Sequence, residues 1–241
     1  MKSFYDVEIM PHQRRLIPFK NFKFTMKNYT IKNANTPVDQ KYIAEYIRLY
    51  KDAYGNDPIW REGMIDAKTG KNYSFKEFEQ LKTSQDVSDF VEYYPDKDVL
   101  AMWETSVQKQ NRLDVAIQKN TSDELCGVIS GYNDPLIQLN KNKLQLDTSD
   151  FTSMVNRLQL QKTTIINYLA ELFIETMSQG QWVGKELLKR YLDNQKGPIL
   201  TRTTQLKTNP GKMFENAWFK KVYDYPETDQ RKRGLRFLNN T

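Results

Sequence analysis

Apolar positions in this chain recur first every three to four residues, then every two, and after that strand and helix patterns take turns. Residues 1–26 hold aromatics and bases (Phe4, Tyr5, Arg14, Arg15, Phe19) without a sustained period, and read as an N-terminal extension to a domain covering 27–241. Tyr29–Asn33 alternates as a short strand. Asn35-Thr36-Pro37 opens a helix, with Pro placed where a missing N–H costs nothing. Tyr42, Tyr46 and Leu49, beside Ile43, Ile47 and Tyr50, form its apolar stripe, which ends near Gly55. Residues 56–73 are rich in turn formers. Ser74-Phe75-Lys76-Glu77 has the hydroxyl-to-carboxylate spacing of a capping box, so helices are expected at about 75–82 and 85–93. A further helix, carrying Val99, Met102, Trp103 and Val107, follows the break at Pro95.

The period then falls to two. Leu113–Gln118 and Leu125–Gly131 read as strands joined by a turn at 120–123. Residues 133–163 form a polar insertion with one short helix, Phe151, Met154, Val155 and Leu158 behind a cap at Thr148-Ser149-Asp150. Thr164–Ile174 is the strongest strand in the chain. A helix at Gly184–Asn194 has Val183, Leu187, Leu188, Tyr191 and Leu192 on one side, and Gly197-Pro198 ends it. Ile199–Thr203 is a strand, Asn209-Pro210 opens a helix with Met213, Phe214, Ala217 and Trp218, and 219–225 and 234–238 close as strands. The alternation predicts an α/β fold, and 241 residues are enough to enclose one sizeable core.

Composition narrows the chemistry. One Cys (Cys126) and one His (His12) cannot make a zinc cage, an iron–sulfur site or a disulfide framework, so no metal is expected. A Ser-His-Asp or Cys-His scheme would have to draw its base from His12, near the start of the chain. Cys126 lies inside a strand and reads as a small core residue. No apolar run approaches the roughly 20 residues of a membrane span, and the first residues lack the order of a signal peptide. A cytoplasmic protein is therefore expected. The net charge of +6 comes from 36 Lys and Arg against 30 Asp and Glu. Those bases are scattered, the densest run being Arg231-Lys232-Arg233-Gly234-Leu235-Arg236, so nucleic acid is a weak expectation.

Glu171 to Lys185 is the informative stretch: a strand, a turn of small residues, then an amphipathic helix. Such a junction aims unpaired backbone N–H groups and the positive end of a helix at one point, which suits a phosphate. It lacks the two-glycine P-loop and the Gly-x-Gly-x-x-Gly dinucleotide fingerprint. Gln179-Gly180-Gln181-Trp182-Val183-Gly184, placed behind Ile174, resembles motif A of the GNAT superfamily of acetyl-CoA-dependent N-acetyltransferases, with Trp182 where a glycine is usual. Ala53–Trp60, the strand Leu125–Tyr132, and Asn209 with Trp218-Phe219-Lys220-Lys221-Val222 are similar to other motifs of that family, in the same order.

The resemblance implies a GNAT fold: a mixed, mostly antiparallel sheet splayed at the cofactor site, with helices on both faces. It implies acetyl-CoA as cosubstrate. Backbone at Leu172, Phe173 and Ile174 would hold the pantetheine arm, and an N–H near Leu172 would polarise the thioester carbonyl. Gln179, Gly180, Gln181, Trp182, Val183, Gly184 and Lys185 would hold the pyrophosphate, and Asn209 the cofactor arm or a water. The activity implied is direct transfer, in a ternary complex, of an acetyl group to a primary amine of a small molecule or peptide, and the domain could form a homodimer. Strand alternation puts Asn167, Leu169, Glu171, Phe173 and Glu175 on one face, and Glu171 is the expected general base. Glu175 is expected at the surface. The family's proton-donating Tyr is matched by Phe214, leaving water, Tyr168 or Tyr223 for that task. Trp182 and Phe214 together keep open a second reading, a degenerate CoA-binding or interaction protein of the same fold.

Overall fold

The computed structural model describes residues 29–34, 43–57, 59–109, 112–119, 122, 124–179, 182–204, 208–226, 229 and 232–240. The expected extension 1–26, the helix start at 35–37, the turn residues 120, 121 and 123, Gly180, Gln181 and the Asn209 side chain lie outside the described residues. In chain order come β1 (Tyr29–Ala34), α1 (Ile43–Tyr50) continued by a wider π-type turn Lys51–Gly55, β2 (Met64–Asp66), β3 (Asn72–Tyr73), α2 (Phe75–Leu81), β4 (Phe90–Glu92) and α3 (Asp96–Val107). They are followed by β5 (Leu113–Lys119), β6 (Leu125–Pro135), α4 (Leu136–Leu139), a π-type turn Asn140–Leu144, α5 (Thr148–Arg157) and β7 (Ile165–Ile174). The last are α6 (Val183–Asn194), β8 (Gly197–Thr204), α7 (Thr208–Asn216), β9 (Lys220–Asp224) and β10 (Arg233–Asn240).

Among the described residues the main sheet runs β1-β5-β6-β7-β8-β10-β9, with β7 and β8 parallel and its other pairs antiparallel. One face carries Val115, Ile129, Leu169 and Ile199 against Val183, Leu187 and Tyr191 of α6 and Phe214 of α7. The opposite face holds two clusters: Val128 and Phe173 under Tyr46, Leu49 and Tyr50 of α1, and Tyr168 and Leu200 under Leu136, Phe151 and Met154 of the insertion. Each cluster follows from the alternation of its strands and the three-to-four spacing of its helices.

Most expected elements form. The capping box closes: Ser74 Oγ accepts from Glu77 N–H at 3.2 Å, and Glu77 accepts from Ser74 N–H at 2.8 Å. The cap of α5 is Asp147, one residue earlier than expected, accepting from Asp150 N–H at 2.8 Å. The expected helix at 85–93 does not form. Asp86 accepts from Ser88 N–H and hydroxyl and makes a turn, after which β4 joins β2 and β3 in a second, three-stranded sheet. Asp side chains that bond the backbone two residues on favour turns over helix. Strands of two or three residues leave no period to read.

A single extra residue sets the active face. Ser130 pairs Glu171 and Gly131 pairs Leu169, so Ala170 bulges from β7. A bulge reverses the side-chain phase beyond it. Leu169 therefore faces α6 together with Leu172 and Ile174, whereas Glu171 and Phe173 turn to the α1 face. The expected common face of Asn167, Leu169, Glu171 and Phe173 is thus corrected, because alternation was carried through a bulge.

Candidate active site

Pairing of β7 with β8 covers Asn167, Tyr168 and Leu169 against Ile199, Leu200 and Thr201, and goes no further. Beyond that rung β7 continues to Ile174 and β8 to Thr204, so the edge of β7 at Leu172, Phe173 and Ile174 faces no strand. Backbone groups on such an edge can pair with an extended ligand, although the Ile174 carbonyl already accepts from the Gln179 side-chain amide, which a ligand there would displace.

Glu171 sits at the head of this cleft. Its Oε2 accepts a hydrogen bond of 3.0 Å from the Tyr54 hydroxyl. Tyr54 reaches it because the turn Lys51–Gly55 prolongs α1 over β7, where Tyr46, Tyr50 and Tyr54 pack edge-on around Phe173 at 5.0, 6.0 and 6.2 Å. Trp60 leans on Tyr54 at 5.3 Å. Burial pushes the Glu171 carboxyl up to about 7. The Tyr54 bond pulls it back, the charge of Glu62 pushes it further up, and Lys143 and Arg202 pull it down. Burial and the same two carboxylates raise the Tyr54 phenol well above its ordinary value, so Tyr54 is a donor here and not a base.

The turn Asn140–Leu144 closes the β8 side. Arg202 donates to the Lys143 carbonyl at 2.9 Å, and the Tyr225 hydroxyl donates to the Leu144 carbonyl at 2.7 Å. Burial alone would lower the Arg202 guanidinium, but Tyr168, Tyr225 and Glu171 outweigh it and raise it. Tyr168 is buried and pushed up to about 12, mainly by that burial. Tyr223 is committed elsewhere, its buried hydroxyl donating to Asp150 at 2.7 Å, and Phe214 is in the core against Phe219. Tyr168 feels the charges of both Glu171 and Arg202.

At the far end of β7 the chain turns through Thr176–Ser178 into α6. The first helical bond of α6 runs from Glu186 N–H to the Trp182 carbonyl, so N–H groups at 183–185 have no partner within the helix. The Trp182 ring is partly buried against the α6 face of the core. Gln179 is exposed; its N–H goes to the Thr176 carbonyl at 3.3 Å and its side-chain amide donates to Ile174 O at 3.2 Å. A Cβ on Gly184 would lie 2.8 Å from Ile174 Cδ1, so this glycine lets α6 approach β7.

Glu175 departs from expectation. Its side chain is only 13% exposed and accepts from Lys119 at 2.8 Å, with Arg48 3.7 Å away. These bases come from β5 and α1, a meeting that strand period cannot foresee. Cys126 is fully buried, donates to the Ile117 carbonyl at 3.4 Å and is pushed up to about 11 by burial. Among the described residues no group of three or more His, Cys, Asp or Glu is arranged to hold a metal ion, and no helix is long and apolar enough to cross a membrane. Glu62 and Arg202 went unmarked in the sequence: one lies in a turn-rich stretch, the other in a short strand, and only folding brings them to Glu171.

No protein-family model and no curated protein matches the sequence. Solved structures do. Arabidopsis thaliana NAA60 in complex with a bisubstrate analogue, and the same protein in complex with acetyl-CoA, are each 9% identical over 87% of this chain and 98% of theirs, with a TM-score of 0.51. A putative acetyltransferase of the GNAT family from Desulfovibrio desulfuricans is 8% identical over 88% of this chain and 99% of that one, at a TM-score of 0.49. With its bulged β7, the parallel β7–β8 pair that parts after three rungs, and helices on both faces, this chain has the GNAT fold.

Proposed function

We propose that the protein is an N-acetyltransferase that moves an acetyl group from acetyl-CoA to a primary amine of a small molecule or peptide, with Glu171 as general base. The observation that carries this reading is the half-buried Glu171 carboxylate, poised near 7 and oriented by Tyr54 beside the unpaired edge of β7. A base works best when its pKa lies near the working pH.

The residues present fit acetyl-CoA. The free edge at Leu172, Phe173 and Ile174 matches the amides of its arm, the N–H groups at 183–185 its pyrophosphate, and Trp182 packs against the core. When bound, it supplies an acetyl group activated as a thioester. Glu171 takes the proton from the acceptor ammonium, directly or through one water. A main-chain N–H near Leu172 stabilises the oxyanion that develops on the carbonyl under attack. Tyr168, whose phenol feels both Glu171 and Arg202, is the candidate to protonate the departing thiolate in place of the Tyr that Phe214 replaces. The buried Phe214 favours the second reading, a CoA-binding protein that turns over poorly.

Thermal unfolding with and without acetyl-CoA, followed by thiol release over a panel of amines, tests both. No stabilisation at saturating acetyl-CoA rejects both readings, while stabilisation without thiol release from any amine leaves the binding protein. Turnover of Glu171→Gln equal to wild type rejects the base.

A further inference from the structure

Glu62 is a carboxylate the mechanism above does not use. It is 8% exposed, and it is held from several sides. Its oxygen accepts from the Tyr50 hydroxyl at 3.2 Å. Its backbone N–H donates to the carbonyl of Tyr54, the residue whose hydroxyl holds Glu171. The next residue, Gly63, donates to the Tyr73 carbonyl and accepts from Tyr93 N–H, so it is fastened to the ends of the small sheet. A Cβ on Gly63 would lie 2.5 Å from the Phe75 nitrogen and 2.8 Å from the Gly55 carbonyl oxygen, backbone atoms that cannot yield. The Tyr50 and Tyr54 rings meet edge-on at 4.8 Å, and both rest on Phe173. Two carboxylates are thus mounted on one rigid pair of rings.

We propose that Glu62 is the positioning residue of the site: through the Tyr50–Tyr54 ring pair it fixes the donor that orients Glu171, and its negative charge makes the ionised Glu171 carboxylate a stronger acceptor for the amine proton. The small sheet β3-β2-β4 is the frame that keeps it there. The inference rests on the acetyltransferase reading for its use in catalysis, but not for the coupling itself. The groups facing Glu171 are Tyr54 and Tyr50 from the extended α1, Glu62 from the loop after it, Tyr132 from β6, Tyr168 from β7 itself, Arg202 from β8 and Lys143 from the insertion. Arg202 and Lys143 favour the charged carboxylate; Glu62 is the opposing charge. With Glu62 neutral, the two bases act unopposed and Glu171 loses its proton at lower pH.

The test is a carbon-13 titration of glutamate carboxyls in the full chain, with Glu171→Gln identifying the Glu171 signal. In Glu62→Gln, which keeps an acceptor for Tyr50, the Glu171 midpoint should fall by at least about half a pH unit. Because coupling is reciprocal, the wild-type Glu62 signal should show a second step as Glu171 ionises through about pH 7, and Glu171→Gln should abolish that step, a measurement that stands even if Glu62→Gln does not fold. A Glu171 midpoint unmoved in Glu62→Gln, or a wild-type Glu62 titration without a second step that Glu171→Gln removes, overturns the proposal. In the acetylation assay the acid limb of kcat/KM should move with the carboxyl midpoint. A carboxyl midpoint that shifts in a protein that acetylates no amine refutes the acetyltransferase reading and leaves the coupling standing; an active enzyme in which Glu62→Gln lowers the carboxyl midpoint but not the acid limb keeps the coupling and overturns its use in catalysis.

Discussion

The Thr201 hydroxyl donates to the Leu169 carbonyl at 3.0 Å, across the last rung that joins β7 to β8. Both residues are buried, and beyond them the two strands part. The bond therefore acts as the clasp of the cleft. Thr201→Val keeps the shape but leaves that carbonyl short of a partner, and should cost about 1 kcal/mol in a urea unfolding titration.

Glu171 should trade stability for function. Its carboxyl is held above its unfolded value, so the proton it keeps on folding stabilises the native state at low pH, and that contribution is lost as pH rises from about 4.5 through about 7. Glu171→Gln never ionises. The variant should match wild type near pH 4 and be more stable by about 2 kcal/mol at pH 8, measured by denaturant midpoints at the two pH values. In the same variant kcat/KM should drop by about a hundredfold or more, and the rise of activity through about pH 7 expected of wild type should be absent.

Much of this site was readable before folding, and the unread parts share one cause. The strand–turn–helix at 165–194 shows its period locally, whereas the unpaired edge and the role of the Glu171 carboxylate were legible only through the resemblance to the GNAT superfamily. Ala170 gives no sign of a bulge, because apolar residues stand on both faces of 165–174 and no strict alternation marks the change of phase; the shift exists only in the pairing with β6. Glu62 is a polar residue among turn formers, and it is buried by contacts with α1 and a sheet of two- and three-residue strands. The Lys119 and Arg48 charges around Glu175 come from distant positions. Period reports which face a residue takes, but not which charges share it.

Trp218 occupies a conformation that suits glycine. Its φ is +69°, it ends the α7 turn, and 63% of it is exposed. A side chain in the left-handed region costs roughly 1–2 kcal/mol, and little burial here offsets that. Trp218→Gly should raise stability by about 1 kcal/mol in the same urea titration. A loss of stability would mean that the ring makes contacts worth more than the strain.

Gly184 separates two reasons for a glycine in the cofactor motif. Its missing Cβ lets Ile174 Cδ1 and Met213 Sδ approach, at 2.8 and 3.3 Å from where a Cβ would stand. Alanine favours helix by up to about 1 kcal/mol, but here it meets those atoms, and overpacking of this kind costs about 1–3 kcal/mol. Ile174→Val removes the Cδ1 atom and alone should cost about 1 kcal/mol. If packing between α6 and β7 is the reason for the glycine, the double variant should be at least about 1 kcal/mol more stable than the sum of the single effects predicts. It should also regain the thermal stabilisation by acetyl-CoA that Gly184→Ala loses, since α6 can then settle back against β7 and return the N–H groups of its first turn to their places. Recovery of stability without recovery of the acetyl-CoA response would assign the glycine to the ligand instead.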